Sequence, residues 1–352
     1  MAINGISFGN TILGGSVRNL KAQMADLQTQ LTSGKKSTTY SGMGANGGFA
    51  IAARAQLSNI AAYTDTMMKI NTTIHVANTA LQALSDIGTQ LQNAARSGSQ
   101  ALNSVGQTAG QQTAVAQFSS VVGILNTQAG DRYVFSGSEI YTQPVASSDL
   151  ILNGDGAGRA GLKQIISERR QADLGAGGLG RIAISSPTAT SVAVAEDVSP
   201  SVYGMKLQSV SSSLTGATVT GPAGTPPAVS IDLGAANPAD GDTVSFIFNL
   251  PDGTSETVQL TASSAVPTPA GSFALGAPPT ATAASLNAAL TASIGVLAGT
   301  SLVAAAAVQA SRDFFGQPPQ RVDVTPPATL STGSAAVDGT AADTVQWYTG
   351  EE

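Results

Sequence analysis

Between Leu13 and Leu31 the large apolar residues Leu13, Val17, Leu20, Met24, Leu27 and Leu31 fall at spacings of four, three, four, three and four. That alternation is the heptad seam of a helix with one narrow apolar stripe. The next seam position is Gly34, a helix-ending residue, so the helix is predicted to stop there. A loop over residues 35–48 follows, with glycine at 42, 44, 47 and 48. The seam resumes at Ile60, Tyr63, Met67, Ile70, Ile74, Ala77, Leu81 and Leu84, then runs through Gly88, Leu91, Ala95, Gly98, Leu102 and Val105. Twelve of these fourteen positions are apolar, and no proline interrupts residues 49–105. As a single helix that stretch would be about 85 Å long, against a diameter of roughly 50 Å for a compact domain of this many residues. The expectation is a rod, at least in part. Gly88 and Gly98 each cost about 1 kcal/mol against alanine, but the seam keeps its phase through both.

A third run, Ala114, Phe118, Val121, Val122 and Leu125, repeats the spacing and can pair with the long helix. That leaves the seam from Leu13 to Leu31 without an obvious partner. Burying a Leu, Ile or Met contributes about 1.5–3 kcal/mol, and an exposed one contributes nothing. The first seam therefore either folds back on its own neighbours or associates with another chain.

After Gly130 the texture changes. Arg132-Tyr133-Val134-Phe135-Ser136-Gly137 reads as a short strand entering a turn, giving a hairpin near residues 131–140. Residues 159–174 read as a short charged helix with Leu162, Ile165 and Ile166 on one side. Farther on, Val229, Ile231 and Leu233 alternate as a strand. Val244, Phe246, Phe248 and Leu250, then Pro251-Asp252-Gly253, then Val258 and Leu260 read as a hairpin. Leu286, Leu290, Ile294 and Leu297 return to helical spacing. The predicted class is α+β and elongated: long coiled-coil helices with a β-rich α+β insert. The predicted parts are residues 1–44 (core helix and loop), 45–182 (helical rod or spoke), 183–342 (variable outer insert) and 343–352 (the start of a return to the rod).

Composition narrows the function. No cysteine is present, which removes disulfides, thiolate metal sites and a cysteine nucleophile. His75 is the only histidine and lies on the long helix, where a surface or seam-edge place is expected; alone it builds no nitrogen-ligand metal site. The GxGxxG stretches at 42–47 and 175–180 lack the strand–turn–helix context of a dinucleotide site and read as loops. No titratable groups converge. Neither catalysis nor a cofactor is expected. Residues 1–130 carry seven basic and three acidic groups, whereas residues 183–352 carry three basic and thirteen acidic. No basic stripe with interleaved aromatics occurs, so nucleic acid is not an expected partner. The start, Met1 to Ile6, has no basic residue before an apolar run, unlike a cleavable leader. Residues 283–310 hold no charge, but polar residues interrupt them; a helix or helix pair is expected there, not a membrane span.

The heptad helix ending in Leu27-x-x-x-Leu31-Thr32-Ser33-Gly34-Lys35, followed by a loop and a longer helix, resembles the bacterial flagellin superfamily. Gly130-Asp131-Arg132-Tyr133-Val134-Phe135-Ser136-Gly137, and in it Gly130, Tyr133, Phe135 and Gly137, resembles the G-x-Y-x-F-[SA]-G stretch of flagellin-like hook-associated proteins at the hook–filament junction. The resemblance covers residues 1–140 well and weakens through 160–207. It implies a secreted structural subunit of the flagellum, exported by the type III route. The implied partners are copies of itself, flagellin, other hook-associated proteins and an export chaperone. Its assembly seam would comprise Leu13, Val17, Leu20, Met24, Leu27, Leu31, Ile60, Met67, Ile70, Ile74, Leu81, Leu84 and Leu91. Two departures stand out. The loop reads Ser41-Gly42-Met43-Gly44-Ala45-Asn46 where many members carry an acidic pair, and no C-terminal heptad segment is seen, so the chain is expected to be truncated as it re-enters the rod. Flagellin itself, or a secreted binding module that recognises a ligand through the β-rich insert, are the alternative readings.

Overall fold

A computed structural model describes residues 7–37, 39, 41–97 and 108–350. The protein is mixed α and β, and it divides into two compact units, Met1–Leu81 and Gln82–Glu352.

The first unit is helical. Helix α1 runs Ser7–Ser33 and ends at Gly34, whose φ of 65° places it in the left-handed region and whose N–H bonds the Gln30 carbonyl at 2.8 Å. This is the glycine stop that the seam predicts. A 3₁₀ turn, Ser41–Asn46, leads into α2, Gly47–Ser97, a single helix of 51 residues. Helix α2 continues without interruption through Gly88. The expected continuation through Gly98, Leu102 and Val105 lies outside the described residues.

The second unit begins within α2. Helix α3, Ala109–Leu125, opens with a capping box: Thr108 Oγ1 accepts from Gln111 N–H, and Gln111 Oε1 accepts from Thr108 N–H. Near its end α2 reaches α3 through Gln117 Nε2, which donates to Gln90 Oε1 at 2.9 Å, and Ile87 is buried. A tight hairpin of β1 (Gln128–Ala129) and β2 (Arg132–Tyr133) follows, with Gly130 at φ 72° as the first turn residue. The short strand stops at Tyr133 and enters a turn, as the sequence reads. Ser136 Oγ donates to the Tyr133 carbonyl and Gly137 sits at φ 63°, so the chain turns instead of extending.

Helices α4 (Ser148–Asn153) and α5 (Leu162–Leu174) come next. Helix α5 starts three residues later than its pattern predicts. Gly161 lies so close to Gly154 that an added Cβ would sit 2.3 Å from the Gly154 nitrogen, and Ala160 is bridged to Thr344. Strands β3 (Ile182–Ser185), β4 (Ser191–Glu196), β5 (Lys206–Ser212), β6 (Thr218–Ala223), β7 (Ala228–Asp232), β8 (Thr243–Asn249), β9 (Ser255–Ser263) and β10 (Ser272–Ala274) build two four-stranded sheets. One has the order β3-β4-β7-β6 and is antiparallel; the other has the order β10-β9-β8-β5 and is antiparallel except for the parallel β9–β10 pair.

The predicted Pro251-Asp252-Gly253 hairpin is β8–β9, closed at Asn249 opposite Ser255. Val244, Phe246 and Phe248 alternate inward and are fully buried. Helices α6 (Pro279–Gly299) and α7 (Ser301–Phe315) are a pair broken at Thr300. Together they are long and apolar enough to cross a membrane by length and composition. However, Leu286, Leu290, Ile294 and Ala298 of α6 are fully buried in one core with both sheets. Strands β11 (Gln320–Val322) and β12 (Ala336–Asp338) form a last hairpin. Beyond it, Val345 and Trp347 join Val122, Ile151, Ile165 and Phe314 in a second core, held by bridges from Tyr348 to Val145 and from Thr344 to Ala160.

Candidate functional site

The first unit carries its large apolar residues outward. On α1, Leu13, Val17, Leu20, Met24, Leu27 and Leu31 are all between 60 % and 88 % exposed. On α2, Ile60, Tyr63, Met67, Ile70, Ile74 and Leu81 are between 51 % and 70 % exposed, and Phe49, Ile51, Leu57 and Met68 are exposed as well. Among the described residues of this unit the only buried apolar side chain is Ala80. Helices α1 and α2 therefore leave both stripes uncovered, and no core among the described residues of 1–81 offsets the cost of ordering them. Toward the end of α2 the seam is half-covered, at Leu84 and Leu91. His75 is exposed on α2.

An exposed apolar stripe of this kind marks an association surface. Its chemistry is simple: it has no group to polarise a bond, and its one asset is apolar area that water would release. The heptad register decides what else it presents. With Ile60, Met67, Ile74 and Leu81 at position a and Tyr63, Ile70, Ala77 and Leu84 at d, the flanking e and g positions are Asn59, Thr64, Thr66, Asn71, Thr73, Asn78 and Ala80. None is charged. The threonine hydroxyls of 64, 66 and 73 donate to the carbonyls of Ile60, Ala62 and Lys69 on their own helix.

The residues of the Gly130–Gly137 motif act locally. Gly130 makes the β1–β2 turn, Tyr133 and Phe135 are half-buried, and Gly137 turns the chain. The Phe135 carbonyl accepts from the Tyr348 hydroxyl at 3.2 Å, which ties the motif to the last described residues. The motif and the stripe are not brought together in one unit.

The structure also assembles a charged cluster that sequence reasoning did not single out. Arg169 on α5 donates from Nε to Asp173 at 2.9 Å and from Nη1 to Asp313 on α7 at 2.8 Å, and its guanidinium lies 4.7 Å from the Tyr203 ring centroid. Arg181, at φ 63°, donates to the backbone carbonyls of Ala172, Ser331 and Gly333. Arg321 on β11 grips both oxygens of Glu168. Burial pushes the Asp173 carboxyl up, opposed by Arg169 and by the Gly204 N–H, and it pushes the Tyr203 hydroxyl up to about 12. The crevice beside the cluster, lined by Ile165, Glu168, Tyr203 and Gln320 among others, measures about 10 Å³, room for roughly one water. With its charges paired internally, the cluster clamps α5 to α7, β11 and two loops. The one sequence signal was the spacing of four between Arg169 and Asp173. Among the described residues, no group of three His, Cys, Asp or Glu is placed to hold a metal ion.

Comparison with protein-family models, with curated proteins and with solved structures finds no match to this chain.

Proposed function

We propose that the chain is a non-catalytic structural subunit of the bacterial flagellum, of the hook–filament junction type, that needs no cofactor. In this reading it leaves the cell by the type III route with an export chaperone. It then packs its helices as an elongated coiled-coil rod among copies of itself, flagellin and other hook-associated proteins, with no membrane span and no contact with nucleic acid. The observation that carries the reading is the uncovered stripe: six seam residues of α1 and six of α2 exposed in a unit whose described residues form no core. The resemblance of the Leu27–Lys35 and Gly130–Gly137 stretches to flagellar subunits supplies the rest.

The test is immunogold electron microscopy of flagella sheared from the source cell. Label confined to the hook–filament boundary is expected. The double variant Leu20→Asp/Leu27→Asp, which puts two charges into the α1 seam, is expected to leave that boundary unlabelled while the protein is still exported. Flagella without label in the wild type would overturn the reading, and so would normal incorporation of the double variant.

A further inference from the structure

We infer that residues 343–349 are a strap: docked, they close the second core over α3 and α4, and released, they open that corner in one step while the sheet core stays shut. The inference concerns the second unit alone and does not rest on the assembly reading.

The first ground is how the strap is fastened. It runs antiparallel to residues 144–146, where the Ala146 N–H donates to the Trp347 carbonyl at 3.0 Å and the Thr349 N–H to the Pro144 carbonyl at 2.7 Å. Nearer its start, the Val345 N–H donates to the Ala160 carbonyl and the Ala160 N–H to the Asp343 carbonyl. Trp347 Nε1 donates to the Phe315 carbonyl at 3.1 Å, and Thr349 Oγ1 to the Gln143 carbonyl at 3.0 Å. The Val145–Tyr348 pair is an isolated bridge outside the named strands, so no longer ladder retains the strap once these bonds break.

The second ground is what the strap covers. Trp347 stands edge-on to Phe315, with ring centroids 5.5 Å apart, and Phe315 in turn meets Phe118 of α3 at 6.3 Å. Val345 shares one cluster with Val122 of α3 and Ile151 of α4. Lifting the strap therefore takes cover from both helices at once. Its bonds to residues 135 and 143 also close loops of about 200 residues, an entropic cost that local contacts do not carry.

The third ground is that α5 and α7 have another hold. Arg169 of α5 pairs with Asp313 of α7 at 2.8 Å, and Leu174 of α5 and Leu302 and Ala305 of α7 pack in or against the sheet core. These helices stay with the sheets when the strap leaves. Helix α3 is held differently: Phe118, Val122 and Leu125 belong to the second core, and its side chains bond Gln90 of α2 and Ser148 of α4. A segment whose contacts all pass through one small cluster opens below the free energy of global unfolding. Opening bares Phe118, Val122 and Leu125, residues with the spacing of a helix seam.

The experiment is hydrogen exchange of the full chain carrying Val145→Cys/Tyr348→Cys. The bonds on either side make 145 and 348 a non-hydrogen-bonded antiparallel pair, with Cα atoms about 4.5 Å apart, within the span of a disulfide. The chain has no cysteine of its own, so oxidation closes one bond and a reductant reopens it. Residues 109–125 and 143–151 are expected to exchange at least roughly tenfold more slowly oxidised than reduced, with β8 the same in both states. Trp347→Ala, which removes the ring that meets Phe315, is expected to speed those same residues at least roughly tenfold and leave β8 protected.

Equal exchange of residues 109–125 in the two redox states overturns the inference. So does a β8 that slows along with them, since the unit would then open as one block. Two thiols that stay unpaired under oxidant in a folded chain overturn it as well, because the strap then does not lie along residues 144–146. Should the double-cysteine chain lose protection at β8, Trp347→Ala decides alone, and unchanged exchange of residues 109–125 in that variant overturns the inference.

Discussion

Gly253 and Gly204 both sit at positive φ, 90° and 79°, yet they carry different burdens. At Gly253, in the β8–β9 turn, an added Cβ meets no atom within 4 Å, so only backbone conformation opposes it. At Gly204 the same atom would lie 2.6 Å from the Arg181 Cβ and 2.8 Å from the Gly180 carbonyl oxygen. Gly253→Ala is expected to destabilise the second unit by about 1–2 kcal/mol, the left-handed penalty alone. Gly204→Ala should cost clearly more, because Arg181 is held by three backbone carbonyls and cannot retreat. Urea unfolding followed by the fluorescence of Trp347, the only tryptophan, reads both. Equal costs would show that the packing around Arg181 yields.

The carboxylates give the pH dependence a sign. Asp232 is held below the usual carboxylate range by the Gly234 N–H and Asp242 by the Thr215 N–H, while Asp252 and Asp323 are held there by the hydroxyls of Thr254 and Thr325. A carboxyl whose folded pKa is depressed contributes stability that is present above its unfolded value and lost as pH falls through the folded value. Burial raises Asp173, whose contribution runs the other way and fades as pH rises through the carboxylate range. With six carboxyls held down, Asp155 and Asp343 being the other two, against one pushed up, the urea midpoint is expected to hold steady near neutrality. It should then fall as pH drops below about 4, the unfolded carboxylate value. A midpoint that rises on acidification would contradict this balance.

At the scale of elements, what the sequence discloses follows from distance along the chain. Helix α1 and its stop at Gly34 are legible because a seven-residue repeat and a glycine act within a few turns. The β8–β9 hairpin is legible because alternation and a Pro-Asp-Gly turn are adjacent. Helix α5 was drawn three residues too long, since Ala160 and Gly161 are claimed by Thr344 and Gly154, contacts beyond any local window. The charged cluster was hidden for the same reason: Arg181 bonds Gly333 and Arg321 bonds Glu168, each across about 150 residues. The apolar stripe of the candidate surface is legible in the heptads, but Ile51, Leu57 and Met68, exposed beside it, lie off the seam. The exposure of the stripe is not legible, because a seam looks the same in sequence whether its cover lies in the same chain or in another.

For the whole molecule, the two units differ in what sustains them. The described residues of 82–352 hold three hydrophobic clusters, one of which draws on both sheets and α6. Residues 1–81 hold helices with bare stripes, whereas most helical stability in proteins comes from packing of an apolar face. The central claim is that another copy or another segment covers those stripes. Hydrogen exchange of residues 13–31 and 60–81, measured in dilute solution and again in the assembled state with β8 as the internal reference, tests it most directly. The account predicts rapid exchange of both stretches when dilute, slow exchange once assembled, and an unchanging, protected β8. Protection of residues 13–31 equal to that of β8 in the dilute chain would contradict it.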